Sequence, residues 1–195
     1  MSKTERFPFL LKIGDVEAAR SFLLPLRGEY RNFTAWNIAS YVFVHLEGET
    51  GDRERLLAEL AELPDGAECL CLPGEMPVMY ENRGCVRSEK TGLSHRVFVA
   101  KLKPGCADEY KRRHSQIPPM PTDRDDYESN WGIWLGDGHV FGYCELDPTL
   151  RRELTEEEQN ETVQWETAQL AIMDWLSDDM DWLTGERHEA VQRLL

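Results

Sequence analysis

A pattern that occurs twice along the chain constrains its fold more than any other feature. Phe9-Leu-Leu-Lys-Ile13 reads like Phe98-Val-Ala-Lys-Leu102, 89 residues further on. Trp36, Val42-Phe43 and Glu47 are matched by Trp134, Val140-Phe141 and Glu145, with the same internal spacing and 98 residues further on. Shared order and spacing predict two copies of one structural unit. The second copy carries nine more residues between its first and second strands.

Each half reads strand, helix, strand, strand, helix, strand. In the first half, Phe7–Ile13 is expected as a strand and Asp15 as the cap of a helix running to Leu26. Phe33–Ile38 and Tyr41–Glu47 form a hairpin, Asp52–Leu63 a helix with leucines on one face, and Glu68–Leu72 the fourth strand. In the second half, Arg96–Leu102 alternates as a strand, and Pro104-Gly105 leads into a helix ending at His114. Pro118, Pro119 and Pro121 make Gln116–Asp126 a loop, expected as a lid over His114. Gly136-Asp137-Gly138 turns Glu128–Leu135 into His139–Leu146. A long helix is expected over Glu156–Trp182, broken near Ser177, and a last strand over Glu189–Leu194.

The βαββαβ order is that of a ferredoxin-like α+β fold, with helices on one face of an antiparallel sheet. The other face needs a cover. Tandem ferredoxin-like repeats would supply it by packing sheet on sheet, an intramolecular dimeric α+β barrel. The expected division is an N-terminal half over residues 1–81, a polar linker over 82–94 and a C-terminal half over 95–195. Such a chain is a pseudo-dimeric monomer, and further homodimerisation is compatible with it.

Net charge excludes whole classes of partner. Lys plus Arg number 22 against 36 Asp plus Glu, a balance of -14, so the chain repels nucleic-acid phosphates and anionic membranes. No run approaches a membrane span, and Met1 to Glu5 lacks an apolar signal core. The five cysteines, Cys69, Cys71, Cys85, Cys106 and Cys144, are odd in number and scattered. They are expected as free thiols in a reducing cytoplasm. Ligand spacing for a metal, a glycine-rich phosphate loop and a dinucleotide fingerprint are all missing, so no cofactor is expected.

The segment Asp108-Glu-Tyr-Lys-Arg-Arg-His114 carries the sharpest chemistry. Tyr110 and His114 stand four apart on a helix, hence on one face. A phenol beside an imidazole that titrates near neutrality suits proton transfer to and from hydroxyl or carbonyl groups. A histidine that merely complements the helix C-terminus has the same spacing.

The segment Arg96-Val-Phe-Val-Ala-Lys-Leu, then Glu109-Tyr-Lys-Arg-Arg-His114 and Ile117-Pro, resembles the opening of the L-rhamnose mutarotase family. The hairpin Asn130-Trp-Gly-Ile-Trp-Leu135 and Val140-Phe-Gly-Tyr-Cys-Glu145 and the tryptophan-rich final helix fit the same family. The resemblance covers about the last hundred residues. It implies cofactor-free exchange of pyranose anomers on a dimeric α+β barrel, with Tyr110 and His114 in the places of the family's motif Tyr and His. Two departures stand out. The family's Ile-Trp-Pro-Glu run is replaced by Ile117-Pro118-Pro119-Met120, and its adjacent Trp pair falls near Ile172 and Met173.

Catalysis is accordingly expected at His114 and Tyr110, and substrate binding at Trp134, Tyr143, Glu145 and Trp175. Trp131 and Trp134 are three apart on a strand and face opposite sides, so only one of them can line a given pocket. Either the phenol supplies the second proton or a carboxylate such as Glu145 does. Two other functions fit the same fold: a cyclase or cofactor-free monooxygenase acting on an aromatic polyketide, and a non-catalytic small-molecule-binding protein. In every case the expected partner is a small molecule.

Overall fold

The computed structural model describes residues 4–175 and 191–195. The chain divides into two compact units, Met1–Pro77 with Val191–Leu195, and Val78–Ala190. Both are mixed α+β, each built on an antiparallel sheet. Among the described residues no helix is long and apolar enough to cross a membrane.

The first unit contains β1 (Glu5–Arg6), β2 (Phe9–Ile13), α1 (Val16–Leu26), β3 (Arg31–Ile38), β4 (Tyr41–Gly48), α2 (Thr50–Leu60) and β5 (Ala67–Cys71). Asp15 caps α1 as its residue type dictates, its Oδ1 accepting from the Glu17 and Ala18 amides. The helix presents Ala19, Leu23 and Leu26 to the sheet, spaced by four and three residues. They pack with Phe9 and Leu11 of β2, Val42, Val44 and Leu46 of β4, and Leu56 and Leu60 of α2.

The second unit contains β6 (Val78–Asn82), β7 (Ser94–Leu102), α3 (Ala107–His114), β8 (Glu128–Gly136), β9 (His139–Leu146), α4 (Glu156–Gln169) and β10 (Met173–Trp175). The β8–β9 turn places both Asp137 (φ 47°) and Gly138 (φ 72°) in the left-handed region. That is the two-residue geometry whose twist matches the flanking strands. The strand order is β10-β7-β9-β8-β6 in this sheet, and β3-β4-β2-β5 in the other.

The structure corrects the sequence reading in three places. The final helix stops at Gln169 instead of running to Trp182, and residues 176–182 lie outside the described residues. The Ile172 amide turns back to the Gln169 carbonyl at 2.8 Å, and the Lys103 ammonium takes the Leu170 carbonyl at 2.6 Å, which caps the helix. Met173–Trp175 then pairs with β7 and brings Ile172 and Met173 into the core. Apolar residues at a helix end and on an edge strand look alike in sequence, and the open edge of β7 decided between them.

The tail is the second correction. Among the described residues its strand, β11, is Gln192–Arg193 and pairs with β3 of the first sheet, and residues 189–190 of the expected strand lie outside the described residues. Third, Val78–Asn82, read as the end of the first half and the first linker residue, forms β6 and pairs with β8 of the second sheet. The unit boundary therefore lies at Pro77. None of the five cysteines is in a disulfide, with Cys144 buried and the others half-buried.

Candidate active site

Helix α3 is short and highly charged, yet it buries Tyr110 and His114 on the face toward the second sheet. Four-residue spacing brings the two rings together, stacked 4.0 Å apart between centroids at an interplanar angle of 26°. His114 Nδ1 lies 2.9 Å from the Tyr110 carbonyl oxygen. A carbonyl only accepts, so Nδ1 carries the hydrogen and Nε2 is the ring nitrogen left for chemistry. Tyr80 from β6 and Trp165 from α4 complete an aromatic enclosure, 5.5 Å and 5.2 Å from the imidazole between centroids.

Beside these rings lies a cavity of about 310 Å³, at the small end of ligand pockets. Phe98, Trp131 and Ile133 of the sheet form its floor, and Ile117, Pro118 and Met120 of the loop border it. Gly142 makes the floor possible, because a methyl group there would overlap the Phe98 ring. Asn82 ties down the part of the loop beside the cavity. Asn82 Nδ2 donates to the Tyr80 hydroxyl at 2.8 Å and to the Pro118 carbonyl at 3.0 Å, and its Oδ1 accepts from the Met120 amide at 2.8 Å. The expected lid thus borders the cavity, anchored by a strand absent from the sequence reading.

Burial sets the protonation states. Desolvation pushes the His114 pKa below the ordinary histidine value, against the smaller opposing effect of the Tyr110 carbonyl. The imidazole is therefore neutral at neutral pH, with a lone pair on Nε2. Tyr110 is pushed the other way, above the ordinary phenol range, first by burial and then by the charge of Glu166. It is therefore protonated in the resting site. Glu109, next to Tyr110 in sequence, is held down to about 2 by hydrogen bonds from Arg112 and Arg113. It is bound to its own helix and does not line the cavity.

The four residues expected to bind substrate fare differently from His114 and Tyr110. Trp134, Tyr143 and Glu145 do not line this cavity. Cross-strand partners share a face. Gly142 pairs with Phe98 on one side and Ile133 on the other, all on the cavity face, whereas Trp134 pairs with Phe141, and Tyr143 pairs with Val97, on the opposite one. Glu145 is fully buried on that side, ion-paired to Lys90 at 2.7 Å and accepting from Asn130 at 2.9 Å. The backbone of Trp175 belongs to β10, while its side chain lies outside the described residues.

Sequence reasoning missed Tyr80, Glu166 and Gln169 as cavity residues, and it weighed Trp131 and Trp165 without committing to either. The three helical ones occupy one face of α4, a signal that a helix ending at Gln169 would have made readable. The tryptophan pair faces opposite sides of the sheet, as strand parity predicts, and the cavity takes Trp131 instead of the expected Trp134. Trp131 shares its face with Ile133, two residues on, and that is the face the cavity lies against.

No curated protein and no solved structure matches the chain. The family model for L-rhamnose mutarotase matches residues 95–193, just over half of the sequence, and that span holds the helix with the stacked pair, the cavity floor and α4. On that match the chain belongs to the L-rhamnose mutarotase family.

Proposed function

We propose that the second unit is a cofactor-free isomerase that exchanges the anomers of a pyranose in this cavity. One observation carries the reading: a buried, neutral His114 whose Nδ1–H is committed to the Tyr110 carbonyl, which leaves Nε2 as a base. In the opening step Nε2 takes the proton of the anomeric hydroxyl. The bond from the anomeric carbon to the ring oxygen breaks, and the hydroxyl oxygen becomes the aldehyde oxygen. The ring oxygen leaves as a hydroxyl, receiving its proton from the phenol of Tyr110. Rotation about the bond to the aldehyde carbon exposes its other face. Closure runs the same steps backward, returning each proton to its donor, so the reaction balances without an outside reagent. Glu145 drops out as the assisting carboxylate, because Lys90 and Asn130 hold it on the other face of the sheet.

The test is exchange of L-rhamnose anomers followed by NMR line broadening or saturation transfer. The wild type is expected to accelerate exchange, and His114→Asn to abolish that acceleration. Wild-type protein without effect on any pyranose tested would overturn the reading.

We also propose that the two units are tandem ferredoxin-like copies forming a pseudo-dimeric barrel within one chain. The sequence repeat and the shared strand order, fourth-first-third-second in each sheet, support it. Light scattering should then give a monomer near 22.6 kDa. Residues 78–190 alone should dimerise or precipitate, and a stable monomer of that fragment would sink the idea.

A further inference from the structure

Gln169 closes α4 and lines the cavity, with only 1% of its surface exposed. Neither Oε1 nor Nε2 has a hydrogen-bond partner among the described residues. Buried amides are almost always paired, because leaving one unpaired forfeits its hydration with no return. An orphaned amide in the wall of a binding cavity is most simply explained as a group awaiting its partner. The proton-transfer chemistry at His114 makes no use of it.

We propose that Gln169 is a specificity-determining residue that bridges two adjacent hydroxyls of the ligand. This rests on the reading of the cavity as a pyranose site and narrows it. A carboxamide offers one donor edge and one acceptor edge side by side. Nε2 donates to one hydroxyl oxygen while Oε1 accepts from the neighbouring hydroxyl, so a vicinal diol satisfies both edges at once. Trp131 and Trp165, also in the wall, offer aromatic surface to the apolar C–H faces of a sugar ring. A flat aromatic ligand without adjacent hydroxyls would fill the same space and leave the carboxamide unpaired. Sites built to hydrogen-bond a hydroxyl reject analogues lacking it. Gln169 therefore favours a polyol over an aromatic polyketide as the ligand of this cavity.

The experiment separates this inference from the isomerase reading by using ligands with no anomeric centre. Binding of cis-cyclohexane-1,2-diol and of cyclohexanol is measured on the full chain, alongside L-rhamnose exchange. Wild type should prefer the diol over the monool by about tenfold, the scale of one or two added neutral hydrogen bonds. The side-chain amide signals of Gln169, assigned by their loss in Gln169→Glu, should shift with the diol and not with cyclohexanol. Gln169→Leu should erase the preference and raise the KM for L-rhamnose about tenfold, with kcat changed less, as expected for a contact made equally in ground and transition states. Its unliganded melting temperature should hold or rise, because no unpaired amide is then buried. Diol preference without anomer exchange would leave the Gln169 assignment standing and sink the isomerase reading. Exchange with wild-type KM in Gln169→Leu would do the reverse. A wild type that ignores the diol, or shifts its Gln169 amide equally with cyclohexanol, overturns the inference whether or not the leucine variant folds.

Discussion

Phe9 faces Val44 across β2 and β4 in the first unit, and Phe98 faces Gly142 across β7 and β9 in the second. The two pairs occupy the same place in sheets of the same strand order, and their consequences diverge. Val44 fills its position in a core cluster that also holds the aliphatic side chains of α1 and α2. Gly142 leaves its position to the Phe98 ring, which forms the floor of a cavity. The covering helices differ in the same sense. Helix α1 brings Ala19, Leu23 and Leu26 to its sheet, whereas α3 brings Tyr110 and His114. One architecture thus serves as packed core in one unit and as a lined site in the other, and the difference lies in a few side chains.

The largest expected effect breaks the comparison at α3. His114→Asn should lower anomer exchange by about 100-fold or more, the usual scale for losing a general base. Its thermal midpoint should move little, while α1 variants such as Leu23→Ala should destabilise the fold by about 2–5 kcal/mol. Equal loss of stability in both would make His114 a core residue like Leu23.

Next in size is the pH dependence of exchange. The acting form of His114 is neutral, and burial holds its pKa below the ordinary value. The rate should fall about tenfold per pH unit on the acid side of a midpoint below the usual 6.5, and be flat at neutral pH. Stability follows the same sign. The unfolded chain binds the proton more readily, so this contribution is present above about pH 6.5 and is lost as pH falls. A midpoint above 6.5 in kcat/KM would contradict a base held neutral by burial.

Exchanging the two strand positions sharpens the contrast. Gly142→Ala forces Phe98 aside and should cost about 1–3 kcal/mol by overpacking, with substrate binding reduced. Val44→Ala should also destabilise, at about 1–3 kcal/mol through lost burial and the space left behind, yet leave exchange untouched. Denaturant melts and exchange rates on both variants check this. If Val44→Ala impairs exchange as strongly as Gly142→Ala, the division of labour between the sheets fails.

The smallest effect belongs to Asn82→Ala, which releases Tyr80, Pro118 and Met120 together. A rise in KM of about three- to tenfold is expected, the scale of one neutral hydrogen bond. A matching fall in kcat with unchanged KM would move Asn82 from holding the loop to the reaction itself.

Sequence alone determined what depends on local pattern. Alternation and turn residues located β7, β8 and β9 to within a few positions, because strand parity and left-handed turns are written in neighbouring residues. Four-residue spacing joined Tyr110 to His114, because helical geometry carries that pair wherever the helix goes. Tertiary structure alone decided the rest. Whether the segment around Met173 continued a helix or joined β7 depended on an unpaired edge contributed from 71 to 75 residues earlier in the chain. Whether Trp131 or Trp134 met the cavity depended on which face of the sheet Tyr110 and His114 pack beside. Glu145 sits directly opposite Ser129 and His95 in its sheet, yet its role was set by Lys90, from a segment read as linker. The Gln169 carboxamide looked like any polar residue on an acidic helix. Its meaning comes from being buried against a cavity with its hydrogen bonds unmade, and burial belongs to the packed chain, since water satisfies the same group in the unfolded one.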